Sequence, residues 1–252
     1  MQRICHFLIL CLATATFATF AQDSVASLAT DFRVDESGAA TFSLPLTLPT
    51  ARGDLKPQLG LSYSSHNLRD GELGVGWNLQ GPSALTRCRK SPIFDGDVGT
   101  ITLTQSDRFC LDGQRLHLVT GTYGSPGSVY RINGQPGTVI SAHGGNSSDG
   151  PAYFKRVTKA KEITYFGNAL AATGLPSDTQ ATVVPGANGV VNTWLMSSVE
   201  DVMSNYIQYV YVTDNTVGES YLSEVRYGGH HSEAQLPYIR VVFDRVTKAQ
   251  RL

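Results

Sequence analysis

The stretch ATFSLPLTLPTARGDLKPQLGLSYSSHNLRDGELGVGWNLQGPSALTRCRKS, Ala40 to Ser91, decides the fold. Phe42, Leu44, Leu46 and Leu48 alternate with Thr41, Ser43, Pro45 and Thr47. Leu59, Leu61 and Tyr63 repeat the pattern, and Val75, Trp77 and Leu79 repeat it again. A period of two puts the apolar side chains on one face of a pleated strand. The breaks between the runs are Pro, Gly, Asn and Asp, whose backbone preferences make turns. The stretch therefore predicts roughly four strands of a sheet with one buried face and with Trp77 as a core anchor. Pro45 cannot donate to a ladder, which places its strand at an edge or a bulge.

Working outward, the sharpest local signal lies in Thr100 to Val119. Asp107 to Leu111 and Gln114 to Val119 are joined by Asp112-Gly113. A two-residue Asp-Gly link between alternating segments predicts a type I′ hairpin, because both central residues need positive φ. Phe109 then lies opposite Leu116, and Cys110 opposite Arg115. Beyond it a short strand is expected near Val129 to Ile132 and an exposed loop from Ala142 to Gly150. A strand pair is expected at Tyr153 to Val157 and Glu162 to Phe166, and residues 169–192 read as a loop or linker. From Trp194 onward the strands become dense in Tyr and β-branched residues. Tyr206 to Thr213 is apolar or aromatic on both faces, which predicts a central strand covered on both sides, with Tyr209 and Tyr211 in the core. Residues 40–168 thus form one β-rich module and residues 193–252 a Tyr-rich continuation that ends without an evident cap, as a truncated chain would. The fold class is all-β: multi-stranded antiparallel sheets, sandwich- or shell-like, built of hairpins with long Gly-, Ser- and Pro-rich loops.

Ahead of the sheet, Met1 to Ala21 has one basic residue, an apolar run from Phe7 to Ala13 and small residues to Ala21. That is the layout of a secretory signal peptide, and its apolar part is shorter than the ~20 residues needed to span a bilayer. Residues 22–39 read as a polar leader. Removal of the signal takes Cys5 and Cys11 with it and leaves Cys88 and Cys110. In an oxidising compartment these two can pair, and they can equally stay as buried thiols. The chain is expected to be secreted, with the periplasm as the alternative, and to have no membrane span after signal removal.

The chain of 252 residues carries 20 Lys and Arg against 21 Asp and Glu, a formal net charge of −1. No basic stripe for nucleic acid is evident, and Arg87, Arg89 and Lys90 read as a solvated strand end. Arg52-Gly53-Asp54 spells a cell-attachment tripeptide, but a turn between strands uses the same residues. His230 and His231 are neighbours and so point to opposite faces of a strand, which suits a polar loop better than a metal site. Gly71, Gly74 and Gly76 have the wrong spacing for a dinucleotide loop, and no Gly-x-Ser-x-Gly elbow occurs. Asn146-Ser147-Ser148 fits a glycosylation acceptor. No catalytic residue, cofactor or metal is assigned.

The runs FSLPLTLPTARGDLKPQLGLSYSS, GELGVGW, LTRC and DRFCLDGQRL resemble the Salmonella virulence plasmid B protein family, which includes the N-terminal region of the B components of insecticidal Tc toxins. NTWLMSSVEDVMSNYIQYVYV, YLSEVRYGG and YIRVVFD are similar to the continuation of that region, which leads toward tyrosine-rich Rhs-type (YD) repeats. The likeness runs from about Gly38 to Asp244. It implies a β-rich module without catalysis, since in the Tc toxins this region is part of a hollow shell that B and C components build around a toxic domain. The Salmonella relative carries its ADP-ribosyltransferase in a separate C-terminal domain that nothing here matches, so that activity is not carried over. Ala51-Arg52-Gly53-Asp54 stands where relatives tend to have a glycine-rich turn, and a signal peptide is not general among toxin B components. The resemblance implies a protein partner of Rhs or toxin type, because roughly 230 mature residues cannot close a shell alone. The residues assigned are structural: Trp77, Phe109, Leu116, Trp194, Tyr209 and Tyr211 in the core, and Asp112 and Gly113 in the turn. The function expected is a secreted, non-enzymatic module acting in toxin assembly or encapsulation. The alternative is an extracellular adhesion module that meets a host surface or carbohydrate through exposed tyrosines and the Gly144–Gly150 loop.

Overall fold

The computed structural model describes residues 30–71, 73–169, 180–185 and 189–244, and nearly all its regular structure is β. The expected signal peptide, residues 22–29 of the expected leader and residues 245–252 lie outside the described residues. The alternating stretch forms a four-stranded antiparallel sheet ordered β1-β2-β3-β6, from β1 (Asp31–Val34), β2 (Ala40–Pro45), β3 (Gly60–Ser64) and β6 (Trp77–Gln80). A short ribbon of β4 (Asp70–Gly71) and β5 (Gly74–Val75) lies between the last two. β1 falls inside the expected leader. Its hairpin forms because the Asp35 carboxylate accepts from the amides of Ser37 and Ala39, at 2.9 and 3.0 Å, and so folds the turn locally.

Pro45 is not on an edge strand, since β2 runs between β1 and β3. The Leu46 amide donates to Leu59 O at 2.9 Å, toward β3, so alternation turns the Pro45 nitrogen to the other side. The β1 register has ended there at Asp31 opposite Ser43, and no ladder bond is lost. Each face of this sheet has its own chemistry. Asp31, Arg33, Thr41, Ser43, Ser62, Ser64 and Asn78 share one side, while Phe32, Phe42, Tyr63 and Trp77 share the other. Trp77 packs edge-on to Phe42 at 5.8 Å and against Tyr63 at 5.4 Å, yet it is half-buried rather than a buried anchor. The reason is that the strands of this sheet contain no buried apolar side chain with which it could share a core.

The core lies in a second, twelve-stranded sheet. Its first part comprises β7 (Ala84–Cys88), β8 (Arg108–Leu111), β9 (Gln114–Thr120), β10 (Val129–Ile132), β11 (Val139–His143), β12 (Tyr153–Val157) and β13 (Ile163–Gly167). These strands pair in chain order, each antiparallel to the next. β14 (Thr182–Val183) breaks the expected 169–192 loop and pairs with β15 (Thr193–Glu200). β15 then closes the sheet. Its first residues pair with β7, and Met196 to Glu200 pair with β13, giving a barrel-like ring of eight strands. Alternation along β11 shows how the ring is filled, with Ile140 and Ala142 buried and Val139, Ser141 and His143 half-exposed. The interior holds Leu85, Phe109, Leu116, Tyr130, Phe154, Phe166 and Trp194.

From the ring a ribbon continues through β16 (Asn205–Asp214), β17 (Glu219–His230) and β18 (Ile239–Val242). β16 lies between β15 and β17, and Asn205 to Tyr211 are all buried. Ile207, Tyr209 and Tyr211 face the same way as their partners Tyr227, Val225 and Leu222. Residues 46–59 of the opening stretch cross this face as a strap, contributing Leu46, Leu48, Ala51, Leu55 and Leu59. The Tyr227 hydroxyl fixes the strap by donating to Pro49 O at 2.9 Å, and the Arg52 amide donates to the Tyr238 hydroxyl at 3.1 Å.

The two tryptophans should therefore differ in weight. Trp194→Ala is expected to cost about 3–5 kcal/mol, as for a large buried side chain, and Trp77→Ala about 1–2 kcal/mol. Urea unfolding of the oxidised protein measures both, and equal losses would contradict this division between the two sheets.

Candidate functional site

The ring is sealed at one end by a buried arginine. In β7, Leu85 and Arg87 point inward while Thr86 and Cys88 are half-exposed, so the alternation that buries Leu85 also buries Arg87. The expected solvated cluster is thus corrected: Arg87 is 3% exposed, and of its neighbours only Arg89 is fully exposed. A buried guanidinium needs an acceptor for its donors and a countercharge. Arg87 Nε donates to Val191 O at 2.7 Å, Nη1 to Thr104 O at 2.7 Å and Nη2 to Asp149 O at 3.3 Å. The Asp107 carboxylate lies 3.6 Å from Nη1, with both side chains nearly inaccessible. Asp107 in turn accepts from the amide and the hydroxyl of Thr102, each at 2.9 Å, and from the Thr104 amide at 3.2 Å. Burial pulls the Arg87 pKa down, and Asp107 opposes that shift. One side chain therefore ties together the 99–107 loop, the 144–150 loop and the segment that enters β15.

The aromatic residues expected in the core complete this knot. The guanidinium carbon lies 5.7 Å from the Phe109 ring and 5.8 Å from the Trp194 ring. Phe109, Phe154 and Trp194 meet edge to face at 5.1–5.3 Å, and Trp194 Nε1 donates to Pro151 O at 2.7 Å. Gly167, at φ +84°, leaves room for the indole, since a Cβ there would sit 2.7 Å from Trp194 Cδ1. Leu116 is buried in the same interior. Asp112 and Gly113 both have positive φ, 49° and 79°, and Cys110 stands opposite Arg115. The Asp112 carboxylate has a further role: it accepts from the Ser83 hydroxyl and from the Ala84 amide, fixing the start of β7. Tyr209 and Tyr211 lie in the ribbon core away from the knot. Burial pushes the Tyr209 phenol up, and the Tyr211 hydroxyl donates to Met196 O at 2.9 Å.

A second polar cluster pins the same loop to the outside of the ring. Cys88 and Cys110 form a disulfide between β7 and β8, with Cα atoms 5.9 Å apart. The 22-residue separation it closes contains the turn α1 (Pro92–Asp95). The Asp95 carboxylate accepts from Arg108 Nε at 2.7 Å, from Arg115 Nη2 and from the Ser91 amide at 2.8 Å. Burial alone would raise the Asp95 pKa. The Ser91 amide and the two guanidinium groups outweigh it and hold the pKa at about 2.

Among the described residues, the remaining candidates sit in separate contacts. Arg52 is held by a two-point contact to Glu233, at 2.5 and 2.9 Å, and a Cβ on Gly53 would strike Asn205, so the tripeptide is a docked turn of the strap. The Glu233 amide donates to His230 Nδ1 at 3.2 Å, while His231 Nδ1 lies 3.6 Å from Glu200. Among the described residues, no three of His, Cys, Asp and Glu gather closely enough to hold a metal ion. Ser141 Oγ lies 2.8 Å from His143 Nε2, but that imidazole stacks on Tyr153 at 4.9 Å. Burial, aided by Lys155, lowers its pKa. An apolar cleft of about 310 Å³ opens where Trp77 and Leu79 approach Leu195, Tyr211 and Leu222. No helix among the described residues is long and apolar enough to cross a membrane.

Comparison with known proteins agrees with this architecture. The family model described as Salmonella virulence plasmid 65kDa B protein matches residues 34–242, which take in the twelve-stranded sheet, the strap and the four-stranded sheet apart from most of β1. The N-terminal domain of the effector protein SpvB from Salmonella typhimurium strain LT2 has a similar structure. Its TM-score is 0.55 at 21% identity, over 73% of this chain and 63% of that one. The TcdB2-TccC3 crystal structure gives a TM-score of 0.59 at 18% identity, over 80% of this chain and 10% of that one. The Photorhabdus luminescens Tc holotoxin pore gives 0.57 at 18%, over 79% and 10%. The chain thus spans about a tenth of the Tc toxin chains it matches. No curated protein sequence matches it directly.

The Asp95 cluster predicts a defined acid response. A carboxyl whose pKa is depressed on folding contributes stability above its unfolded value of about 3.9, and that contribution is lost as pH falls through the folded value. For Asp95 the window runs from about pH 4 to about pH 2. Melting temperature against pH should fall more steeply there for the native protein than for Asp95→Asn. Parallel curves would remove Asp95 from the acid response.

Proposed function

The chain belongs to the Salmonella virulence plasmid 65kDa B protein family, and from that premise we propose that it is a non-enzymatic wall module of an exported toxin-type assembly. The observation that carries this reading is the extent of the family match, which covers the ring, the ribbon and the strap alike. The construction favours a structural role. A ring packed solid with aromatic side chains and locked at its mouth by Arg87 is suited to bearing load and holding shape. Export through the residue 1–21 signal segment is supported by the Cys88–Cys110 disulfide, a bond that persists in oxidising compartments. The partner proposed is a larger, Rhs-type toxin protein. TcdB2-TccC3 is itself a two-component toxin complex, and the matching region is a tenth of its chain.

Purification of the tagged full chain from its native host tests this directly. A large toxin-type protein should elute with it in constant proportion and stay bound in moderate salt. Binding to cells or glycans without any protein partner would instead support the adhesion reading and overturn this one.

A further inference from the structure

Among the described residues, β1 ends the four-stranded sheet and pairs on one side only, with β2. All four of its residues are exposed, Phe32 at 67% and Val34 at 64%. A free edge of this kind offers a row of main-chain donors and acceptors to another strand. Which groups it offers can be worked out. The Asp35 amide donates to Ala39 O at 3.0 Å and Arg33 O accepts from the Thr41 hydroxyl at 3.1 Å, so the odd-numbered residues turn toward β2. Phe32 and Val34 then turn their N–H and C=O groups to the open edge, as does Thr30.

Charged side chains on an edge strand usually discourage such pairing. Here the charges are self-complementary. In Asp31-Phe32-Arg33 a negative and a positive residue flank Phe32 symmetrically and lie on one face of the sheet, opposite the phenyl ring. We propose that β1 is a homodimerisation edge, at which a second copy of this chain adds its own β1 antiparallel about a twofold axis at Phe32. In that register Phe32 faces its own counterpart, Asp31 meets the partner's Arg33 and Arg33 meets the partner's Asp31. Like charges never oppose one another, and the Arg33–Asp31 contact that each chain makes within itself is exchanged, two for two, for contacts between the chains. The half-buried aromatic row of Phe42, Tyr63 and Trp77 becomes continuous with its copy across the axis. A contact along one short strand buries less than the ~1,200 Å² of a standard interface, so the dimer is concentration-dependent and weakened by salt.

Sedimentation of the full chain over a range of concentrations, at low and moderate salt, reads the association. Native protein should move from monomer to dimer, with the dimer receding as salt rises. Asp31→Arg alone and Arg33→Asp alone each place like charges opposite one another and should weaken self-association about tenfold or more. Mixing the two variants should restore association as a heterodimer, although the ion pair within each chain remains broken. Unchanged melting temperatures would show that the variants remain folded. A native protein that stays monomeric, single variants that dimerise as well as native, or a mixture that does not associate would each overturn the proposal. So would pairing of β1 with a different protein's strand in preference to its own copy.

Discussion

A cation buried at the mouth of the ring sets the terms for everything near it. Removing the Arg87 guanidinium from water carries a large penalty, met only when its donors are matched and a countercharge is close. Three carbonyl oxygens and Asp107 do this, and they come from three separate segments of chain. Each segment must then take up a definite path. The 99–107 loop is organised by Asp107, which binds Thr102 and Thr104. The Gly-rich loop before β12 presents Asp149 O, and the segment before β15 presents Val191 O. The last of these matters most, because it delivers β15 to the gap between β7 and β13, where the ring closes.

This arrangement also explains the division of labour between the two sheets. The ring is self-sufficient, its interior filled by its own strands. The ribbon is not, because its apolar face is covered by the strap from a distant part of the sequence. The small sheet is the least covered, with one polar face and one aromatic face that is only half-buried. A module built this way has a packed centre and less covered surfaces at its margins.

Much of the fold was legible in the sequence because its information is local. Asp112-Gly113 specifies its hairpin through two positive φ values, and alternation marks β10, β12 and β13 closely. The central strand β16 is equally plain, since Tyr206 to Thr213 carries apolar or aromatic residues on both faces, although burial ends at Tyr211 and Val212 is exposed. The features without a local signal depend on distant partners. Closure of β13 on β15 is a pairing across a long insertion, and no local pattern announces it. The charge of Arg87 among Arg89 and Lys90 points to solvent, whereas the alternation in Leu85-Thr86-Arg87-Cys88 places it on the same face as Leu85. Trp77 and Trp194 look alike in sequence, and only the presence or absence of a covered core behind each separates them. β1 was lost in a polar leader because two of its four residues are charged, a pattern that also suits an exposed edge.

The central claim, that the Arg87–Asp107 knot holds the ring closed, is tested most directly by a double-mutant cycle on unfolding free energy. Arg87→Met leaves Asp107 buried without its countercharge and is expected to cost about 3–5 kcal/mol. Adding Asp107→Asn to Arg87→Met should cost clearly less than the sum of the two single changes, because the pair acts as one unit. An Arg87→Met protein within about 0.5 kcal/mol of the native one, or strict additivity of the two changes, would show that the strands close without the knot.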